Sequence, residues 1–129
     1  MRILLADDHS LVRQSLAHVL SREPDLEIVG EAWDGKLAVE VARELRPDVV
    51  LMDISMPVMD GIEATRRICA ECPAVRVIGL SMFTHAEQAR PMLDAGAAGY
   101  VCKTDAPDVL LKAIRNGGDQ AIGPVLPAA

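Results

Sequence analysis

Apolar residues fall along this chain in two rhythms. Short continuous apolar runs alternate with stretches in which apolar residues return every third or fourth position. The continuous runs predict strands at about 2–6, 26–32, 48–53, 75–81 and 99–102. Between them lie helical stretches with their own start signals. After Ser10, the residues Val12, Leu16, Val19 and Leu20 share one helical face. After Asp34 the face is Ala38, Val41, Ala42 and Leu45, and Pro47 stops the helix. Asp60-Gly61-Ile62-Glu63 and Thr84-His85-Ala86-Glu87 both have capping-box spacing. Asp105 precedes Pro107, a residue tolerated in a first helical turn, and Ala106, Val109, Leu110, Ala113 and Ile114 follow helical spacing up to Gly117-Gly118. This strand-and-helix alternation implies an α/β fold, a parallel sheet covered by helices on both faces.

One helix contradicts its own pattern. Pro91 follows the Thr84 cap by about two turns. In a helix interior it removes a backbone donor and crowds the preceding turn, costing roughly 3 kcal/mol. The expectation is that the fourth helix is kinked, or that its regular part starts near Pro91.

Composition narrows the class. The chain has 129 residues, enough for one domain, and half of them are hydrophobic. With one Phe, one Trp and one Tyr, the core must be aliphatic. The net charge is −6, and nothing in the chain resembles a basic stripe for DNA or anionic lipid. No apolar run reaches membrane-spanning length, and no signal-peptide core follows Met1-Arg2. Three cysteines do not make a disulfide framework, so a reducing cytoplasm is expected. Residues 1–118 read as the folded domain and 119–129 as a linker or disordered tail.

The candidate chemistry sits where apolar runs stop. Leu4-Leu5-Ala6 ends in Asp7-Asp8, Val49 to Met52 ends in Asp53, and Gly99 to Cys102 ends in Lys103. Ser81 closes the fourth run. In a doubly wound sheet ligands bind beyond the carboxyl ends of the strands, so these groups converge. Clustered carboxylates repel and need a counter-charge. Mg²⁺ suits them, because it takes one or two carboxylates together with water and phosphate oxygens. Asp53 can then act as a nucleophile towards phosphorus, with the cation and Lys103 neutralising the transferring group.

These stretches resemble the receiver domain of two-component response regulators. The matching segments are Asp7-Asp8-His9, Met52-Asp53-Ile54-Ser55-Met56-Pro57-Val58-Met59-Asp60-Gly61, Leu80-Ser81 and Gly99-Tyr100-Val101-Cys102-Lys103. The wording around Asp7-Asp8-His9-Ser10-Leu11-Val12-Arg13 and Ala95-Gly96-Ala97-Ala98-Gly99-Tyr100 is most similar to NarL/LuxR-type transcription regulators. The resemblance implies a flavodoxin-like five-stranded sheet of order 2-1-3-4-5. It implies that Asp53 is the phosphoacceptor, served by a sensor histidine kinase. Asp7, Asp8, Asp53 and the Ser55 backbone carbonyl would hold Mg²⁺, with Mn²⁺ as a substitute. Ser81 and Lys103 would grip the phosphoryl group, Ser81 and Tyr100 would form the switch, and Ser55 and Phe83 would tune phosphate lifetime. Such a chain is not an enzyme acting on other molecules, although it assists its own phosphorylation and dephosphorylation. It dimerises on activation and reaches DNA only through a C-terminal helix-turn-helix domain that this chain lacks. Thr104 stands where many receivers carry proline after the lysine.

The residues are also compatible with other classes. A stand-alone receiver would act by protein–protein contact. A haloacid-dehalogenase-like phosphatase also uses a strand-end Asp, but places a second Asp two residues on, where this chain has Ser55. A flavodoxin-like cofactor carrier would be repelled by Asp7-Asp8 after the first strand. Cys69-Ala70-Glu71-Cys72 has redox or zinc spacing but no second pair, and is read as packing. Cys102 reads as core. His9, His18 and His85 have no ligand partner by spacing. Trp33 falls in the loop after the second strand, and Met52, Met56 and Met59 read as packing.

Overall fold

Each apolar run forms a strand in the computed structural model, which describes residues 1–81 and 86–116. The strands are β1 (Arg2–Ala6), β2 (Glu27–Ala32), β3 (Val49–Asp53), β4 (Arg76–Ser81) and β5 (Gly99–Cys102). The helices are α1 (Ser10–Ser21), α2 (Gly35–Leu45), α3 (Gly61–Glu71), α4 (Ala86–Asp94) and α5 (Pro107–Asn116). All strand pairs are parallel, in the order β2-β1-β3-β4-β5. This is the flavodoxin-like order that the resemblance implies. The Thr84 cap, Phe83 and the 119–129 tail lie outside the described residues.

Alternation along the strands divides the core in two. Ile3, Leu5, Val49, Leu51, Ile78 and Leu80 pack with Leu20, Leu110, Ala113 and Ile114 from α1 and α5. Leu4, Ala6, Val50, Met52 and Val77 pack with Ala38, Ala42, Ala64, Ile68 and Met92 from α2, α3 and α4. Every residue of β3 is buried, which is why this strand reads as an unbroken apolar run up to Asp53. The sheet has one irregularity: the β1–β2 register shifts between Ile3 and Leu4.

Local side-chain chemistry sets the starts of α2 and α3. Asp34 and Asp60 are N-caps, accepting from the Leu37 and Glu63 amides at 2.7 and 2.9 Å. Glu63 does not complete the box; its carboxylate pairs with Arg66 and Arg67. In α1, Ser10 is the first helical residue and His9 is the N-cap. Asp105 lies in the turn before α5, where it accepts from the Cys102 amide at 3.1 Å. Arg46 closes α2 in the left-handed region, with φ 48°.

Helix α4 starts at Ala86 and runs through Pro91, so its regular part does not begin at the proline. Pro91 is exposed, while Ala89 and Met92 face the core. The ring therefore sits on the solvent side. No cis peptide bond occurs among the described residues, the Lys103–Thr104 bond included.

Candidate functional site

The strand-end acids come together at one edge of the sheet. The Asp7 amide extends the β1–β2 ladder by donating to the Ala32 carbonyl at 2.9 Å. This draws Asp7 into the interior, where it is fully buried. The Arg13 guanidinium donates to the Asp7 carbonyl at 2.6 Å and to Glu31 at 2.9 Å, fixing the turn after β1. Asp8 follows with its side chain partly exposed. Asp53, at the end of central β3, is 4% exposed. Lys103 follows β5 directly, and its amide donates to the Ser81 carbonyl at 2.7 Å.

Lys103 bridges two of the carboxylates. Its Nζ lies 2.7 Å from Asp7 Oδ2 and 3.1 Å from Asp53 Oδ1. Burial works against the ammonium, but the hydrogen bond to Asp7 and the Asp53 charge hold it above its ordinary pKa. One cation does not balance the site. Burial and the Asp7 charge push the Asp53 pKa up to about 6, against the pull of Lys103. Asp53 Oδ2 is buried and receives no hydrogen bond among the described residues.

That orphan oxygen is the test of whether a cation fits. Asp7, Asp8, His9 and Asp53 each offer one ligand atom, all within 4.8 Å of one another. A hard dication would offset the excess negative charge around Asp53, and the Asp7, Asp8 and Asp53 carboxylates of the set fit magnesium. The Asp8 edge opens onto a cleft of about 450 Å³ lined by Asp8, Ile54, Ser55, Met56, Pro57 and Asp60.

The loop after β3 is shaped by close backbone approaches. A Cβ on Gly61 would lie 1.9 Å from the Asp53 carbonyl oxygen, so only glycine lets α3 start against the end of β3. The Gly61 amide donates to the Ile54 carbonyl at 2.8 Å. Val58 takes a positive φ of 69° at the tip of the loop and is largely exposed. The Met59 amide donates to the Pro57 carbonyl across it at 2.7 Å.

Ser81 and Tyr100 form a second unit beside the acids. Tyr100 is fully buried, and the Ser81 side chain is near enough to act on its phenol. Burial raises the phenol pKa, and Ser81 opposes the rise. The ring lies over Gly79, where an added Cβ would meet Tyr100 at 3.3 Å and Met92 at 3.0 Å. The Thr65 hydroxyl donates to the Met92 sulfur at 3.7 Å, tying this corner to α3.

The structure thus brings together Asp7, Asp8, Asp53 and Lys103, sets Ser55 on the adjoining cleft, and puts Ser81 near Tyr100. Phe83 lies outside the described residues. Sequence spacing missed His9. Its Nδ1 lies 3.1 Å from Oδ1 of both Asp7 and Asp8, so it belongs to the cluster. The signal was its place directly after two acids at a helix start. The cysteines behave as packing groups: Cys72 and Cys102 are buried, and the Cys69 thiol donates to the Gly96 carbonyl at 3.4 Å. Trp33 is 56% exposed in the loop between β2 and α2.

A doubly wound sheet with buried carboxylates and a lysine at its strand ends defines an α/β domain with a charged pocket at its carboxyl edge. The family profile described as the response regulator receiver domain matches residues 3–115, and the chain belongs to that family. It is 46% identical over 115 residues to the transcriptional regulatory protein LiaR of Bacillus subtilis, covering 89% of this chain and 54% of LiaR. It is 39% identical to the response regulator protein VraR of Staphylococcus aureus, covering 89% of this chain and 55% of VraR. The chain therefore spans about half the length of these curated relatives. Among solved structures, a LuxR-family two-component response regulator from Aurantimonas sp. SI85-9A1 superposes with a TM-score of 0.85 at 39% identity, covering 89% of this chain and 82% of that one. The response regulator domain of Thermotoga maritima CheB gives a TM-score of 0.85 at 35% identity, covering 92% and 96%. Among the described residues, no helix is long and apolar enough to cross a membrane.

Proposed function

We propose that Asp53 accepts a phosphoryl group from a sensor histidine kinase and that the domain switches a transcriptional output. The observation that carries this reading is the state of Asp53 itself. One oxygen is paired with Lys103, and the other is buried without a donor at the end of the central strand. In the reaction an Asp53 oxygen lone pair forms the new O–P bond as the P–N bond to the donor imidazole breaks. The electron pair leaves with the imidazole. Lys103 holds the Asp53 carboxylate in place and then neutralises an oxygen of the arriving phosphoryl group. The Ser81 hydroxyl donates to another.

Asp7, Asp8, Asp53 and the Ser55 carbonyl are the residues that would hold Mg²⁺, or Mn²⁺ in its place. When bound, it supplies charge neutralisation for the transferring group. Movement of the Ser81 hydroxyl towards phosphate changes the surroundings of the Tyr100 phenol, which couples the site to the β4–α4–β5 side. Ser55 and Phe83, two residues beyond Asp53 and Ser81, tune the phosphate lifetime. LiaR is described as a transcriptional regulatory protein and is about twice the matched length, which supports an output through a DNA-binding domain beyond this segment. Dimerisation on activation belongs to the same reading.

Incubation with acetyl phosphate and Mg²⁺, followed by intact mass measurement, tests the proposal. One phosphoryl adduct is expected on the wild type and none on Asp53→Ala. Absence of an adduct on the wild type, or its persistence in the variant, overturns the assignment.

A further inference from the structure

The His9 carbonyl accepts from the Arg13 amide at 3.0 Å, but the His9 side chain does nothing for the helix it opens. His9 is the N-cap of α1, with extended backbone angles of −96° and 111°, yet its side chain makes no capping hydrogen bond. The imidazole turns instead towards the acids. Its Nδ1 lies 3.1 Å from Asp7 Oδ1 and 3.1 Å from Asp8 Oδ1. A single nitrogen placed equally between two carboxylate oxygens makes a poor pair of hydrogen bonds, since one N–H points in one direction. It does make a good edge of a coordination shell. Adjacent ligands of an octahedral ion with bonds of about 2.1 Å lie ~3.0 Å apart. An Asp53 carboxylate oxygen belongs to the same group of ligand atoms, all within 4.8 Å of one another, and Asp53 Oδ2 is buried with no hydrogen-bond partner among the described residues.

We propose that His9 is a nitrogen ligand of the pocket, giving this chain a mixed nitrogen–oxygen site for a divalent transition ion of the Ni²⁺, Zn²⁺ or Mn²⁺ type. The inference rests on the cation-site reading given above and extends it from oxygen donors to His9. Imidazole favours such ions over Mg²⁺, which prefers oxygen and keeps its water. Binding turns the Nδ1 lone pair to the ion and leaves the ring proton on Nε2, on the solvent side. The exposed Asp8 edge and its cleft give the entry path. A transition ion held by His9 would occupy the place of magnesium. The pocket would then discriminate among dications by the one residue that differs in donor type.

The test compares wild type, His9→Ala and Asp53→Asn by calorimetric titration with Ni²⁺ and with Mg²⁺, and by pulsed EPR of the Mn²⁺-loaded proteins. The His9 side chain is 64% exposed, so its removal leaves the core intact. In His9→Ala the expected result is a loss of about tenfold or more in Ni²⁺ affinity, with Mg²⁺ affinity changed by no more than about twofold. The Mn²⁺ spectrum of the wild type should carry an imidazole nitrogen coupling that the variant lacks. An unchanged ratio of Ni²⁺ to Mg²⁺ affinity, or no nitrogen coupling in the wild type, overturns the role of His9. Failure of the wild type to bind Mg²⁺, or binding unaffected in Asp53→Asn, instead overturns the cation site itself.

Discussion

Lys103 is the residue on which the electrostatics of the pocket turn. Its side chain is 6% exposed and bridges two acids that are themselves buried. Removing one partner of a buried ion pair leaves uncompensated charge, a loss of several kcal/mol. Lys103→Met should therefore lower unfolding free energy by about 3 kcal/mol in urea without magnesium. Excess Mg²⁺ should restore part of it, because the ion supplies the missing charge. A variant as stable as the wild type in chelator would mean that the acids do not depend on Lys103. Asp7, Asp53 and Lys103 were legible because each interrupts an apolar run where a buried strand does not ordinarily carry charge. The direction of His9 was not. It depends on the turn after β1, which Arg13 and the Asp7 carboxylate hold by hydrogen bonds that no spacing rule encodes.

Among the elements, strands were the easiest to read, since helices on both faces leave β1, β3 and β4 almost wholly apolar. Starts of α2 and α3 were legible through Asp34 and Asp60, whose capping chemistry is local. The start of α1 was less so, because His9 takes the cap position while its ring serves the acids. Pro91 does not set the start of α4, which begins at Ala86. Its ring faces solvent, and Ala89 and Met92 anchor the helix on either side. The junction of β3 with α3 is the element contact that matters most for the site. Gly61→Ala would push a Cβ into the Asp53 carbonyl, and the nearest atoms are all backbone. The expected cost is about 1–3 kcal/mol or more, with slower adduct formation from acetyl phosphate as Asp53 is displaced. Gly30→Ala is the control, because its Cβ meets only side chains, those of Leu45, Val41 and Leu4 at 3.2, 3.3 and 3.5 Å, which can give way. Equal effects of the two substitutions would count against a positioning role for the α3 start.

At the scale of the whole molecule, the site is a charge imbalance that the fold tolerates. Two apolar clusters, one on each face of the sheet, hold the carboxylates at one edge. The net charge of −6 gives no general relief to that edge. Stability should therefore depend on pH through Asp53. Its folded pKa is about 6 against 3.8 for the free group, so the folded state binds more protons between those values. Where the folded state holds the extra proton, stability falls as pH rises. Asp53 should contribute a loss of about 3 kcal/mol from below pH 4 to above pH 6, at 1.36 kcal/mol per pH unit. Asp53→Asn should remove this slope, leaving the variant more stable than the wild type at pH 7.5 in chelator. Mg²⁺ should act in the opposite sense. At a hundredfold excess over its dissociation constant it adds about 2.7 kcal/mol to the wild type. That gain should fade as pH falls below about 6, because protons compete for Asp53. Urea titrations at pH 3.5 and 7.5, with and without Mg²⁺, read these quantities. An identical pH slope in wild type and Asp53→Asn would mean that the fold holds the Asp53 carboxylate without strain, and that magnesium relieves nothing there.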